Sequence, residues 1–113
     1  TAAWTAMGKG LVDWKKYFAH FAKVCPEAPI CIETISGFNH ELKVKQENFW
    51  KAWPKGKPKG YDKFEAFAKR GKAIGTFKAP KGADRKAAQQ QFQKGDIERS
   101  IRYCRKLGLG RDR

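Results

Sequence analysis

The chain has 113 residues, of which 41% are hydrophobic, and 25 Lys and Arg stand against 11 Asp and Glu for a formal charge of +14. That length suits one small domain or a piece of a larger one, and the apolar share is enough for a core, which excludes a wholly disordered protein. No apolar run approaches the roughly 20 residues that cross a bilayer, and residues 1–10 lack the apolar stretch of a signal peptide.

The charge is unevenly placed. Residues 1–42 carry four basic and four acidic side chains, residues 43–95 carry fifteen and four, and residues 96–113 carry six and three. The middle therefore reads as a solvated basic insertion between more ordinary flanks. Three cysteines, Cys25, Cys31 and Cys104, are an odd and small number for a disulfide scaffold. Free, partly buried thiols in a reducing compartment follow, and with them a cytoplasmic location.

In chain order, Thr1 to Met7 is β-permissive around Trp4, the tail of a strand, and Gly8-Lys9-Gly10 turns the chain. Trp14, Tyr17, Phe18, Phe21 and Val24 recur at helical spacing behind Asp13, an acceptable N-cap, and Pro26 stops the helix. Pro29 to Ile35 is short, apolar and β-branched, the pattern of a strand buried on both faces, which Ser36-Gly37 ends. Helix, tight turn and buried strand make half of a βαβ unit and imply a parallel sheet.

Phe49, Trp50 and Trp53 fit a short helix stopped by Pro54, and Lys55 to Gly60 is a basic linker. Tyr61 to Lys69 has Tyr61, Phe64, Phe67 and Ala68 at helical spacing, ended by Gly71. A long helix is predicted from about Asp84 to Lys106, with Phe92, Ile97, Ile101, Cys104 and Leu107 as its apolar stripe and Gly108 and Gly110 beyond its end.

Glu33 is the residue that stands out. An acid ending a strand of Ile30, Cys31 and Ile32 is expensive to bury unless paired or bound to a cation, and the carboxyl ends of parallel strands are where α/β active sites assemble. Its plain alternative is a carboxylate at a sheet edge, solvated or bridged to a lysine. His40 follows the same strand within reach of its end, whereas His20 reads as a helix surface residue. The spacings around Cys25 and Cys31 match no zinc module. Ser36-Gly37 offers a hydroxyl and an N–H near the strand end, and Gly8-Lys9-Gly10 lacks the glycine pattern of a phosphate loop. The basic middle interleaves Phe49, Trp50, Trp53, Tyr61, Phe64, Phe67 and Phe77 with lysines. That composition suits phosphate neutralisation and base stacking, although helical spacing of the rings equally suits packing.

The stretches Trp4 to Lys15, Pro29 to Glu33 and Asp96 to Cys104, taken in order, resemble the xylose isomerase-like sugar phosphate isomerases and epimerases. The resemblance implies an α/β chain forming the C-terminal portion of a (β/α)8 barrel, predominantly helical as an isolated chain. Residues 1–37 would hold the end of strand seven, helix seven and strand eight, residues 38–83 a basic loop insertion with short helices, and residues 84–113 helix eight and a tail. A barrel needs about 200 residues or more, so a C-terminal fragment of a longer enzyme is expected. It further implies a small sugar substrate and a divalent ion (Mn, Mg, Co or Zn) in the parent, with none held tightly by this chain alone. Glu33 falls on the strand-eight glutamate, a metal ligand and acid–base residue. Ser36 and His40 are candidate substrate contacts by position only and match no family motif. Lys9 stands where the family's turn has an acid. The alternative function is a small basic module for nucleic acid or another polyanion, and no helix combines the apolar and uniformly basic faces of a membrane-surface segment.

Overall fold

The computed structural model describes residues 2–110; Thr1 and the end of the expected tail, 111–113, lie outside them. The first helix, α1, spans Trp14–Val24. Asp13 caps it by accepting from the Lys16 N–H at 3.1 Å, and the Cys25 N–H closes its end on Phe21 O just before Pro26. A four-residue helix, α2, covers Glu47–Trp50, and α3 covers Tyr61–Lys69. The longest, α4, runs over Arg85–Lys106 without a break at Gly95. Asp84 caps it by accepting from the N–H groups of Lys86 and Ala87. α1, α3 and α4 begin and end close to where periodicity, caps and prolines place them, whereas α2 stops at Trp50 and leaves Trp53, expected within it, in the turn before Pro54.

The sheet differs from expectation. Among the described residues it consists of β1, Ala2–Ala3, paired antiparallel with β2, Asn39–His40. Pro29–Ile35 has no regular secondary structure and joins no ladder. The C-terminal portion of a (β/α)8 barrel, with parallel strands seven and eight, is therefore not the architecture these residues adopt. A strand buried on both faces takes its stability from hydrogen-bonded neighbours on either side, and Pro29–Ile35 has none, so its β-branched composition alone leaves it as coil.

What organises the chain is α4. Its buried residues are Asp96, Ser100 and Cys104, a face that keeps Cys104 of the expected stripe but replaces Ile97 and Ile101 by Asp96 and Ser100, and Ile101 is left 39% exposed. Small side chains let backbone approach the helix. The Met7 N–H donates to Ser100 Oγ at 3.0 Å, Ser100 Oγ donates to Asp96 O at 2.8 Å, and Gln93 Nε2 donates to Ser36 O at 2.9 Å. Gly8 has φ of +82°, and a Cβ there would lie 2.5 Å from the Tyr103 ring. A side chain would thus be strained by both conformation and space.

Apolar burial is thin. Among the described residues the buried apolar side chains are Ala6, Phe18, Tyr61 and Cys104. The surface of 9900 Å² compares with about 6,300 Å² for a compact chain of this mass. The radius of gyration, 17.4 Å, compares with about 13 Å. The molecule is a spread layer 24 Å thin, with clefts between its elements.

The contact between α4 and the turn is testable. Gly8→Ala is expected to destabilise by at least about 1 kcal/mol, through its positive φ and the displaced Tyr103 ring. Ser100→Ala should cost about 1–3 kcal/mol by orphaning the Met7 N–H. Urea unfolding of both variants checks this, and wild-type midpoints would refute the role given to that contact.

Candidate functional site

The candidate site grows from the capping of α1. With Asp13 fixing its start, α1 sets Trp14, Tyr17, Phe18 and Phe21 along one side. Trp14 and Phe18 stack with centroids 5.6 Å apart, and Tyr17 meets Phe18 edge-on at 5.3 Å. These rings face Thr5, Met7 and the segment Pro29–Glu33 across a pocket of about 430 Å³. Two stretches distant in sequence thus line one cavity, and Glu33 contributes its only carboxylate. Glu33 is exposed, and among the described residues no Lys, Arg or His nitrogen lies within 4.0 Å of it. An unpaired carboxylate in a chain with 25 cationic side chains is free to meet a ligand.

The other expected site residues lie elsewhere. Ser36 is 1% exposed; its hydroxyl pairs with Thr34 Oγ1 at 3.2 Å and its carbonyl accepts from Gln93. It fastens the chain to α4 and does not line the Glu33 pocket. His40 is exposed in β2, opposite Ala2, and is likewise outside that pocket. His20 is exposed on α1. Among the described residues no three His, Cys, Asp or Glu side chains come together in a way that holds a metal ion. Glu33 therefore supplies at most one ligand, and these residues do not by themselves fit a divalent cation. The pocket walls, Thr5, Met7 and the α1 rings, carried no sequence signal beyond apolar spacing.

A second cluster lies in the basic middle. Phe49, Trp50, Trp53, Tyr61 and Phe64 line a pocket of about 380 Å³ with Val44, Pro58 and Lys59. Trp50 and Tyr61 meet edge-on at 5.2 Å, Trp50 Nε1 donates to Val44 O at 2.8 Å, and Lys57 Nζ stands 4.0 Å over the Tyr61 ring. Burial first, then the charges of Glu65 and Asp62, push the Tyr61 phenol above its ordinary value. Lys57 therefore faces a neutral ring, a cation–π contact and not an ion pair.

The thiols separate by environment. Cys25 and Cys31 are exposed, against the expectation of partial burial, and Cys104 is buried with its Sγ 3.6 Å from Met7 Sδ. Among the described residues no helix is long and apolar enough to cross a membrane. No family model, curated protein or solved structure matches the chain.

Burial raises the Cys104 thiol, so folding holds its proton, and raising pH through and above the ordinary thiol range favours the unfolded chain. A thiol-reactive disulfide at pH 8 should modify Cys25 and Cys31 rapidly and Cys104 only when urea opens the fold. Three equal rates in the native protein would contradict the buried placement.

Proposed function

We propose that the chain acts in a sugar or sugar phosphate isomerase or epimerase, with Glu33 moving a proton at the carbon next to the substrate carbonyl. The observation that carries this reading is an unpaired carboxylate at an apolar, aromatic-walled cleft. The order of the three family-like stretches supports it, because parts of two of them, Thr5, Met7 and Trp14 from Trp4–Lys15 and the whole of Pro29–Glu33, line that cleft together. Its weight rests on Glu33 and its cleft, not on a barrel frame.

The chemistry asks for a base that gives back what it takes. A Glu33 oxygen accepts the proton from the carbon, and the C–H electron pair becomes the C=C bond of an enediolate. For isomerisation Glu33 returns the proton to the neighbouring carbon while the remaining hydroxyl proton passes to the former carbonyl oxygen and the C=C pair reforms a carbonyl; epimerisation would need a second acid, from solvent or outside this cleft, to protonate the opposite face. Aromatic rings suit the C–H faces of a sugar, and Ile32 and Phe18 add apolar surface to the cleft beside the carboxylate. A divalent cation would stabilise the enediolate oxygens in such enzymes; its ligands are not assembled by the residues described, so Glu33 is assigned proton transfer alone.

Glu33→Gln, made in the protein expressed from its natural reading frame, is expected to lower aldose–ketose or epimer interconversion by about 10²- to 10⁴-fold. Circular dichroism should not change, since the side chain is exposed and holds no partner. Full turnover in the variant, or none in the wild type, would remove the assignment.

A second reading, polyanion binding by the basic middle, is favoured by one observation. Lys57 and Lys59 stand beside the ring cluster of Trp50, Trp53 and Tyr61, where a phosphate backbone and its bases find charge and stacking faces together. Retention on single-stranded DNA cellulose should fall steeply with salt, and Lys55, Lys57 and Lys59 changed together to Gln should shorten it. Passage straight through at low salt would end that reading.

A further inference from the structure

The Gly8-Lys9-Gly10 turn and the segment following α3 form a cavity that the Glu33 chemistry does not use. Its volume is about 620 Å³, and its walls include Thr5, Lys9, Leu11, Arg70, Lys72 and Ile74. Three of its lining side chains are cations and none is an acid. Among the described residues none of the three cations has a carboxylate within 4.0 Å.

The walls are held in place by specific contacts. The Arg70 N–H donates to Phe67 O at 3.1 Å and the Gly71 N–H to Ala68 O at 3.0 Å, which closes the end of α3 and fixes Arg70 and Gly71 at the cavity wall; the negative end of the helix dipole lies here, so attraction for an anion has to come from the cationic side chains. The Arg70 guanidinium lies 4.8 Å over the Phe67 ring, which leaves its planar fork supported on one face. At Gly71 a Cβ would lie 3.0 Å from Ala68 O and 3.2 Å from Leu11 Cδ1. The absence of a side chain lets the two walls close on each other.

We propose that this cavity binds a phosphomonoester dianion, with Lys9, Arg70 and Lys72 neutralising the phosphate and Thr5 Oγ1 donating to it. Three cations lining one cavity without a counter-charge favour an anion of high charge, and the guanidinium fork matches two phosphate oxygens at once. A phosphomonoester carries between one and a half and two negative charges near neutrality, by the usual estimate of about −1.5 to −2. The volume is that of a small-ligand site, and Leu11, Phe64, Ala68 and Ile74 give the organic part of the ester an apolar wall. The cavity stands independently of Glu33.

Phenyl phosphate, inorganic phosphate and a single-stranded oligonucleotide serve as probes, titrated into the whole chain by isothermal calorimetry. Phenyl phosphate should bind more tightly than inorganic phosphate, and Arg70→Ala with Lys72→Ala should weaken it by on the order of tenfold per cation removed. The same loss of charge on α1, Lys15→Ala with Lys23→Ala, should leave it within about twofold, a difference small against the error of such comparisons. Glu33→Gln should not alter it, so the cavity and the isomerase reading fail separately. Equal weakening by the two double variants would show attraction by net charge only and overturn the site. Full displacement of phenyl phosphate by one equivalent of oligonucleotide would assign the cations to a nucleic acid backbone and overturn the small-ligand class. The five altered side chains, Lys15, Lys23, Glu33, Arg70 and Lys72, are exposed, and unchanged circular dichroism confirms that each variant folds.

Discussion

The structure hangs on a close polar contact between α4 and two segments distant in sequence. A backbone N–H taken from water must find an acceptor, and Met7 finds Ser100 Oγ across 93 residues of chain. Ser36, 57 residues from Gln93, is tied to the same helix by its carbonyl. These long-range bonds are satisfied because Ser100 and Gly8 are small enough for backbone and helix to meet. Asp96 completes the face at a cost. Arg99 holds its Oδ1, while Oδ2 is buried without a partner, and an unmatched oxygen in a low-dielectric setting weakens the fold it helps to define.

That polar attachment leaves much apolar surface uncovered. Phe18 and Tyr61 are buried, yet Trp53, Phe64, Tyr17 and Val24 remain exposed, so the elements meet at edges more than over faces. Clefts are the result. The cleft beside α1 has Glu33 as its only acid, the cluster beside α3 has its rings braced by Trp50 and Lys57, and the cavity at the Gly8–Gly10 turn has cations alone. Three neighbouring environments of different electrical character arise in one thin layer because packing does not fill the spaces between helices.

Local signals made the helices legible. Asp13 and Pro26 bracket α1, Asp84 starts α4, and Gly71 follows α3, each acting through a few adjacent residues. Pro29–Ile35 shows the limit of that reasoning: whether an apolar run becomes a strand depends on ladder partners that local composition does not reveal. The buried face of α4 was hidden for a related reason. Apolar spacing pointed to Ile97 and Ile101, but close backbone approach selected Asp96 and Ser100. At the candidate site, Glu33 was visible as an acid closing an apolar run. Its walls were not, since Thr5 and Met7 reach it only through the tertiary path. Ser36 read as a strand-end hydroxyl and is instead a buried fastening, and His40 sits exposed in β2 opposite Ala2, outside the Glu33 pocket.

Thr5 lines both the Glu33 cleft and the cationic cavity. One half-buried β-branched side chain therefore serves as a shared partition, and its stiff χ1 gives it few orientations to offer the two chambers. The two chambers have this wall in common, so a change of side-chain size at this one position would redraw both of them together.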